Sequence, residues 1–289
     1  MSIAPAELGP REFNFTDDDF RALARLARAE FGLSLSESKK PLVYSRLARR
    51  LRARNIARFQ DYMNLLGNSD EAEERLELIS ALTTNVTSFF REKHHFETLR
   101  SQLAPALGKQ SRVRIWSAGC SSGQEPFSIA MTLLDVLPDS ARTDVRILAT
   151  DIDPAVVRRA RAGQYPLEEA ESIPPDLRKS WTKPVADRSG AFEMNDQSRK
   201  LISFAELNLI EPWPFHGPFD AIFCRNVAIY FDQETQQTLW NRFAEMLRDD
   251  GFLFIGHSER VTGPALQALT TAGVTTYRKK PGASSATAT

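Results

Sequence analysis

The chain has 289 residues, enough for two domains or for one large domain with an appendage, and its 42% hydrophobic content supports a sizeable core. Its 37 basic and 37 acidic side chains cancel, so the molecule as a whole is not built to bind nucleic acid or a membrane surface. Met1 to Pro10 lacks a charged start followed by an apolar core, and no run approaches membrane-spanning length, so a soluble, unsecreted, cytoplasmic protein is expected. Neither Cys120 nor Cys224 has metal-type spacing around it, and both read as small packing residues in a reducing compartment.

Residues 13–82 read as helices only. Asp17, Asp18 and Asp19 suit a helix start, Phe20, Leu23, Leu26, Ala27 and Phe31 follow at helical spacing, and Gly32 stops the run. Further helices are expected over about 38–54, 59–66 and 70–82, which together make a small bundle. Lys39 to Arg58 holds eight Lys or Arg and no acid, whereas Asp70 to Glu77 is mainly acidic. On the second helix Arg46, Arg50 and Arg54 recur at i+4 with Arg49 and Arg52 alongside, a stripe that suits either a solvated face or an acidic partner.

From Val113 the pattern alternates strand and helix, as a mostly parallel sheet requires, with strands near 113–117, 144–150, 201–206, 219–224, 251–256 and 274–279. Too little helix separates the final pair for a parallel crossover, so the last strand is expected to be antiparallel. Residues 163–203 are too long and polar for one connection, and a small antiparallel hairpin of residues 190–194 with 200–204 is expected there. Residues 281–289 read as a disordered tail.

Arg114 to Pro126 carries the chemistry. An apolar strand runs into a turn in which Gly119 and Gly123 permit unusual backbone angles and close approach of a ligand. A second strand ends at Asp151, 28 residues beyond Gly123, where an acid can accept hydrogen bonds from ribose hydroxyls. The loop reads G-x-x-x-G and lacks the order that brings a helix N-terminus to a pyrophosphate, which favours a cofactor without phosphates, such as S-adenosylmethionine.

Three more segments accompany this turn: Thr83 to Glu92 (TTNVTSFFRE), Asn208-Leu209, and Phe223 to Asp232 (FCRNVAIYFD) at a strand end where open α/β sheets bind ligands. With Gly256-His257-Ser258-Glu259 as a fifth match, the set resembles the CheR family of chemotaxis receptor glutamate methyltransferases over residues 15–280. The resemblance implies a helical N-terminal domain at 13–82 that docks on receptors and a methyltransferase domain at 83–280, with a Rossmann-like sheet and a β insertion at about 181–204.

It also implies that Asn85, Thr87, Arg91, Gly119, Glu125, Asp151, Asn208, Leu209, Asn226 and Val227 line the S-adenosylmethionine site. Asp151 would hold the ribose, Glu125 the methionyl ammonium, and Arg91 and Tyr230 the incoming glutamate. Gln124 stands where an acid is frequent in the family. The partners implied are the acidic helical regions of chemoreceptors, met by Arg46, Arg49, Arg50, Arg52 and Arg54 through charge complementarity. The protein is expected to work as a monomer, with no metal, no nucleic acid and no membrane insertion. An RNA or small-molecule methyltransferase, or a cofactor-binding signalling module without transfer activity, are the competing readings. The β insertion matches the peptide-gripping loop of some family members poorly, so action independent of a receptor tether is expected.

Overall fold

In a computed structural model, residues 12–68, 70–103, 112–137, 144–185 and 190–283 are described, so 284–289 of the expected tail fall outside them. The chain divides into two compact units, Met1–Thr84 and Asn85–Thr289.

The first unit holds four helices among its described residues: α1 (Asp17–Phe31), α2 (Lys40–Ala53), α3 (Phe59–Leu66) and α4 (Ala72–Leu82). Thr16 and Asp19 form a reciprocal capping box at the start of α1, and Gly32 ends the helix in the left-handed conformation at φ 71°. A 3₁₀ turn at Glu37–Lys39 and Pro41 in the first turn of α2 set where that helix begins. Phe20, Leu23, Ala27 and Phe31 of α1 are buried, as are Val43, Leu47 and Leu51 of α2.

The second unit is an α/β sheet. Its strands are β1 (Arg112–Ala118), β2 (Asp144–Asp151), β3 (Gln164–Pro166), β4 (Thr182–Pro184), β5 (Ala191–Met194), β6 (Ile202–Glu206), β7 (Phe219–Cys224), β8 (Leu247–Ile255), β9 (Leu269–Gly273) and β10 (Thr276–Lys279). Seven of them form the main sheet in the order β6-β2-β1-β7-β8-β10-β9, with the first five parallel and β10 antiparallel to both neighbours. Helices α5 (Lys93–Thr98), α6 (Gln124–Val136), α7 (Pro154–Ala162), α8 (Pro175–Trp181), α9 (Asp196–Lys200) and α10 (Gln233–Met246) complete the unit.

Both faces of the central strands are covered, which is why these segments are nearly continuously apolar. Ile115, Phe223 and Phe254 pack on the α6 side, whereas Trp116, Ile222 and Leu253 pack on the α10 side.

The antiparallel last strand stands as expected, but two pairings differ from the sequence reading. Residues 191–194 do not pair with 200–204. They form the centre of a separate sheet, β3-β5-β4, while 202–206 joins β2 in the main sheet. The turn at Asn195, whose side chain caps α9, redirects the chain between the two. Strand β9, which the sequence reading left out, forms the sheet edge beyond β10.

Candidate active site

Strand β1 sits where the order reverses, with β2 on one side and β7 on the other, and the crevice at such a switch point is where open α/β sheets take ligands. The turn after β1 is built by close approach. Gly119 has φ 86°, and a Cβ there would lie 2.3 Å from Cγ2 of Val227. Gly123 has φ 99°, and a Cβ there would meet the Tyr165 hydroxyl at 2.7 Å. Tyr165 of β3 donates from that hydroxyl to the Ser122 carbonyl at 2.8 Å, so the small sheet braces the turn.

The turn is also tied to the end of β2. Gly119 N and Cys120 N both donate to the Thr150 carbonyl, at 2.8 and 2.9 Å. Ser121 N donates to Asp151 Oδ2 at 2.8 Å and Asp153 N to Asp151 Oδ1 at 3.1 Å. The Ile152 amide adds to this set, so the Asp151 carboxylate accepts hydrogen bonds from three backbone amides and keeps further acceptor capacity. Burial pushes the Asp151 carboxyl up to about 6, against the pull of these amides.

Glu125, in the first turn of α6, accepts from the Ser117 hydroxyl at 2.7 Å and from Arg225 Nη1 at 3.2 Å. Burial raises its carboxyl above the usual range, and Arg225 and Ser117 pull it back in part. Arg225, buried at the end of β7, also donates to the Arg91 carbonyl and lies 3.5 Å from Glu92 Oε2. One guanidinium therefore joins the β7 end, the start of α6 and the loop of Arg91. Glu92 sits at φ 57° and accepts from His257 N at 3.2 Å. Burial would raise its carboxyl, but Arg225 and His257 hold it below the usual range.

The remaining expected residues distribute around this crevice. Asn85 donates to Asp153 Oδ2 at 3.0 Å, and its carbonyl accepts from the Ser121 hydroxyl at 3.2 Å. Thr87 is half-buried on the same loop, and Arg91 Nη1 donates back to the Val86 carbonyl at 3.0 Å. Leu207 N donates to the Asp151 carbonyl at 2.9 Å, which carries Asn208 and buried Leu209 past the end of β2. Asn226 and Val227 follow β7 after Arg225, and Tyr230 closes the 3₁₀ turn Ala228–Tyr230. Gln124, the departure from the family pattern, donates to Glu169 at 2.7 Å and accepts from Ser122 at 2.8 Å, so it is held inside the turn.

This donor set suits a nucleoside cofactor without phosphates. Two carboxylates, Asp151 and Glu125, face the turn and would repel a pyrophosphate, whereas they match hydroxyl and ammonium donors. The Cβ-free backbone at Gly119 lets Val227 pack directly on the turn, which joins the end of β7 to the end of β1.

Comparison with known proteins agrees. Residues 18–83 match the all-alpha domain of CheR methyltransferase, and residues 85–277 match the CheR methyltransferase SAM binding domain. The chain belongs to the CheR methyltransferase family. It is 48% identical over 255 residues to a probable chemotaxis protein methyltransferase of Rhizobium etli, covering 86% of this chain and 95% of that protein. Chemotaxis protein methyltransferase 2 of Pseudomonas aeruginosa is 43% identical over 87% of this chain and 89% of its own length. The chemotaxis protein methyltransferase of Escherichia coli is 42% identical over 84% and 85%. The CheR chain described here is therefore an S-adenosylmethionine-dependent methyltransferase of chemotaxis.

Two parts of the sequence reading look different in three dimensions. Four arginines of the α2 stripe are engaged within the helical unit. Arg46 donates to the Leu82 and Thr83 carbonyls at the end of α4, and Arg50 makes a double contact with Glu74, at 3.0 and 2.7 Å, and a bond to Glu77. Arg52 pairs with Glu12 and Arg54 with Glu71, which leaves Arg49 exposed. The acidic run from Glu71 to Glu77 is the signal in the sequence that could have pointed to the pairing of Arg50 and Arg54.

His94, His95, His216 and His257 show no metal-ligand spacing in the sequence, yet Glu92, His94 and His95 present donor atoms within 4.8 Å of one another. Arg225 already supplies a positive charge to that Glu92 oxygen, and burial lowers the His95 imidazole to about 3, which keeps it neutral. No helix among the described residues is long and apolar enough to cross a membrane.

Proposed function

We propose that this CheR chain methylates glutamate side-chain carboxylates of chemoreceptors, giving glutamyl methyl esters and S-adenosylhomocysteine. The observation that carries the reading is the Ser117–Glu125–Arg225–Arg91 chain of contacts, which fastens the Arg91 loop to the cofactor turn. S-adenosylmethionine, when bound, supplies an electrophilic methyl on a sulfonium. Asp151 would accept from its ribose hydroxyls and Glu125 would face its ammonium, with Asn85, Thr87, Asn208, Leu209, Asn226 and Val227 around it.

A glutamate has a reference pKa near 4.3, so the acceptor is already a carboxylate at neutral pH and no residue has to remove a proton. The residues' work is placement and exclusion of water, effects worth about 7–11 kcal/mol when alignment is good. Arg91 attracts the acceptor carboxylate, and the Tyr230 hydroxyl orients it by donating a hydrogen bond. In this reading the helical unit recognises the acidic receptor helix through exposed basic side chains, among them Arg49, which among the described residues is the member of the α2 stripe without an internal partner. A cytoplasmic monomer without a metal suffices for this chemistry.

The test is to offer radiolabelled cofactor to receptor-rich membranes and, separately, to RNA. Label on receptor protein released as volatile methanol by mild base supports a carboxyl ester. Base-stable label, or label on RNA alone, overturns the reading.

A further inference from the structure

The turn Asn226–Tyr230 carries three residues of the proposed site, yet it is held from another part of the chain. Asn226 sits at φ 60°, the left-handed conformation that Asn tolerates better than other non-glycine residues, and its neighbours fix it there. The constraint comes from the corner after β8. There the chain turns back through Gly256, with Glu259 N donating to the Gly256 carbonyl at 2.9 Å, and the Glu259 side chain points under the neighbouring turn.

Its carboxylate is 5% exposed and is bonded to main-chain amides. Oε2 accepts from Asn226 N at 3.0 Å and from Gly256 N, while Oε1 accepts from Ile229 N at 3.2 Å, and the Ala228 amide adds to the set. A buried carboxylate met by amides instead of a cation is held by geometry, since each amide must keep its direction for the charge to stay solvated.

Gly256 makes the corner fit. A Cβ there would come within 2.5 Å of Asn226 Nδ2 and 2.7 Å of its backbone nitrogen. On the opposite side Gln236 of α10 donates to the Ala228 and Phe231 carbonyls at 2.9 and 3.1 Å, and Asp232 caps α10 through Thr235 N. The turn is therefore gripped at its amides by Glu259 and at its carbonyls by Gln236.

We propose that Glu259 is a positioning residue for methyl transfer: its carboxylate sets the Asn226–Tyr230 turn so that the cofactor-lining Asn226 and Val227 and the acceptor-facing Tyr230 hold one mutual alignment. This rests on the function proposed above, because the effect reaches the reaction only through those three residues.

The decisive variant is Glu259→Gln in the full chain. It keeps the shape but turns an NH₂ group toward amide donors, so at least one contact becomes repulsive. The expected result is a folded protein in which the Kd for S-adenosylhomocysteine, read by calorimetry, rises about tenfold and kcat falls by about tenfold or more. The second readout is a double-mutant cycle. Tyr230→Phe should cost clearly less kcat in the Glu259→Gln background than in the wild type, since the hydroxyl is already misplaced.

A lower melting temperature with wild-type kcat, KM and Kd would show Glu259 to be structural only and overturn the proposal, and so would additive effects in the cycle. If Glu259→Gln does not fold, Gly256→Ala pushes on the same turn from the same corner. Wild-type constants in that variant would equally overturn the proposal, whereas the same joint loss supports it. Failure of the functional reading shows elsewhere, as cofactor affinity that is indifferent to Asp151 or as label that is not a methyl ester.

Discussion

Replacing Arg50 by Ala should damage the helical unit far more than its position in a basic surface stripe suggests. Glu74 is 2% exposed, and Arg50 meets both of its oxygens while also bonding Glu77 at 2.7 Å. Removing the guanidinium leaves Glu74 with the Tyr62 hydroxyl at 2.7 Å and with Arg54 no nearer than 3.7 Å. Breaking a buried pair from one side costs about 3–5 kcal/mol, and the low end applies because Arg50 itself is 20% exposed and Arg54 can approach. For a unit of this size about 3 kcal/mol corresponds to roughly 12–24 °C in melting temperature.

Far-UV circular dichroism of the full chain, with the helical transition followed on heating, measures the loss. The pH dependence has a defined sign. Burial would raise the Glu74 carboxyl, but Arg50 and Tyr62 hold it below its usual value, so the pair's contribution is present above the unfolded pKa and is lost as pH falls. The contrast is Arg49→Glu: Arg49 is exposed and has no partner among the described residues, so the change should alter stability by less than about 0.5 kcal/mol while lowering methylation of receptor membranes. An Arg50→Ala variant that loses less than about 1 kcal/mol would refute the reasoning. Charge reversal at Arg46 and Arg50 together cannot separate docking from folding, because both side chains close the bundle.

At the catalytic unit, Asp151→Asn should weaken S-adenosylhomocysteine by about 1.5–3 kcal/mol in calorimetry. Because the Asp151 carboxyl titrates at about 6 and the ribose hydroxyls donate best to its ionised form, wild-type affinity should be flat above neutrality and fall by up to about tenfold per pH unit below 6. The Asn variant should lose that acid slope, and an identical slope in both proteins would assign it to another group. At saturating cofactor, kcat should stay level from about pH 6 to 8, since the acceptor needs no base. Gly119→Ala combines a φ of 86° with a 2.3 Å approach to Val227, so cofactor binding should be largely lost while the variant remains folded, as titration and thermal melting would show.

Much of this was legible from local pattern. The helix of residues 59–66 lies where its periodicity places it, and the strands ending at Ala118, Asp151 and Cys224 announce themselves by apolar runs that stop at glycine or polar residues. Partners far apart in the chain were not legible. Gly163 to Met194 supplies three strands of three or four residues, too short to show a period, and only the braced Tyr165 explains why they gather beside the glycine turn. In the same way the motif residues Arg225 and Glu259 could be read as parts of matching segments. Their work, one bridging carboxylates and the other collecting amides, exists only once β7 and β8 lie side by side.

The parallel sheet also governs how the enzyme comes into being. Asn85, Asp151, Asn226 and Glu259 meet only after each crossover has carried the chain back to the same end of the sheet, and every such closure is an entropic cost met before its contacts form. The glycine turn and Asp151 come together once β2 pairs with β1, whereas the Asn226 turn needs β7 and β8 side by side. A chain that stops before Glu259 is expected to keep the glycine turn tied to the end of β2 but to leave the Asn226 turn without its carboxylate support.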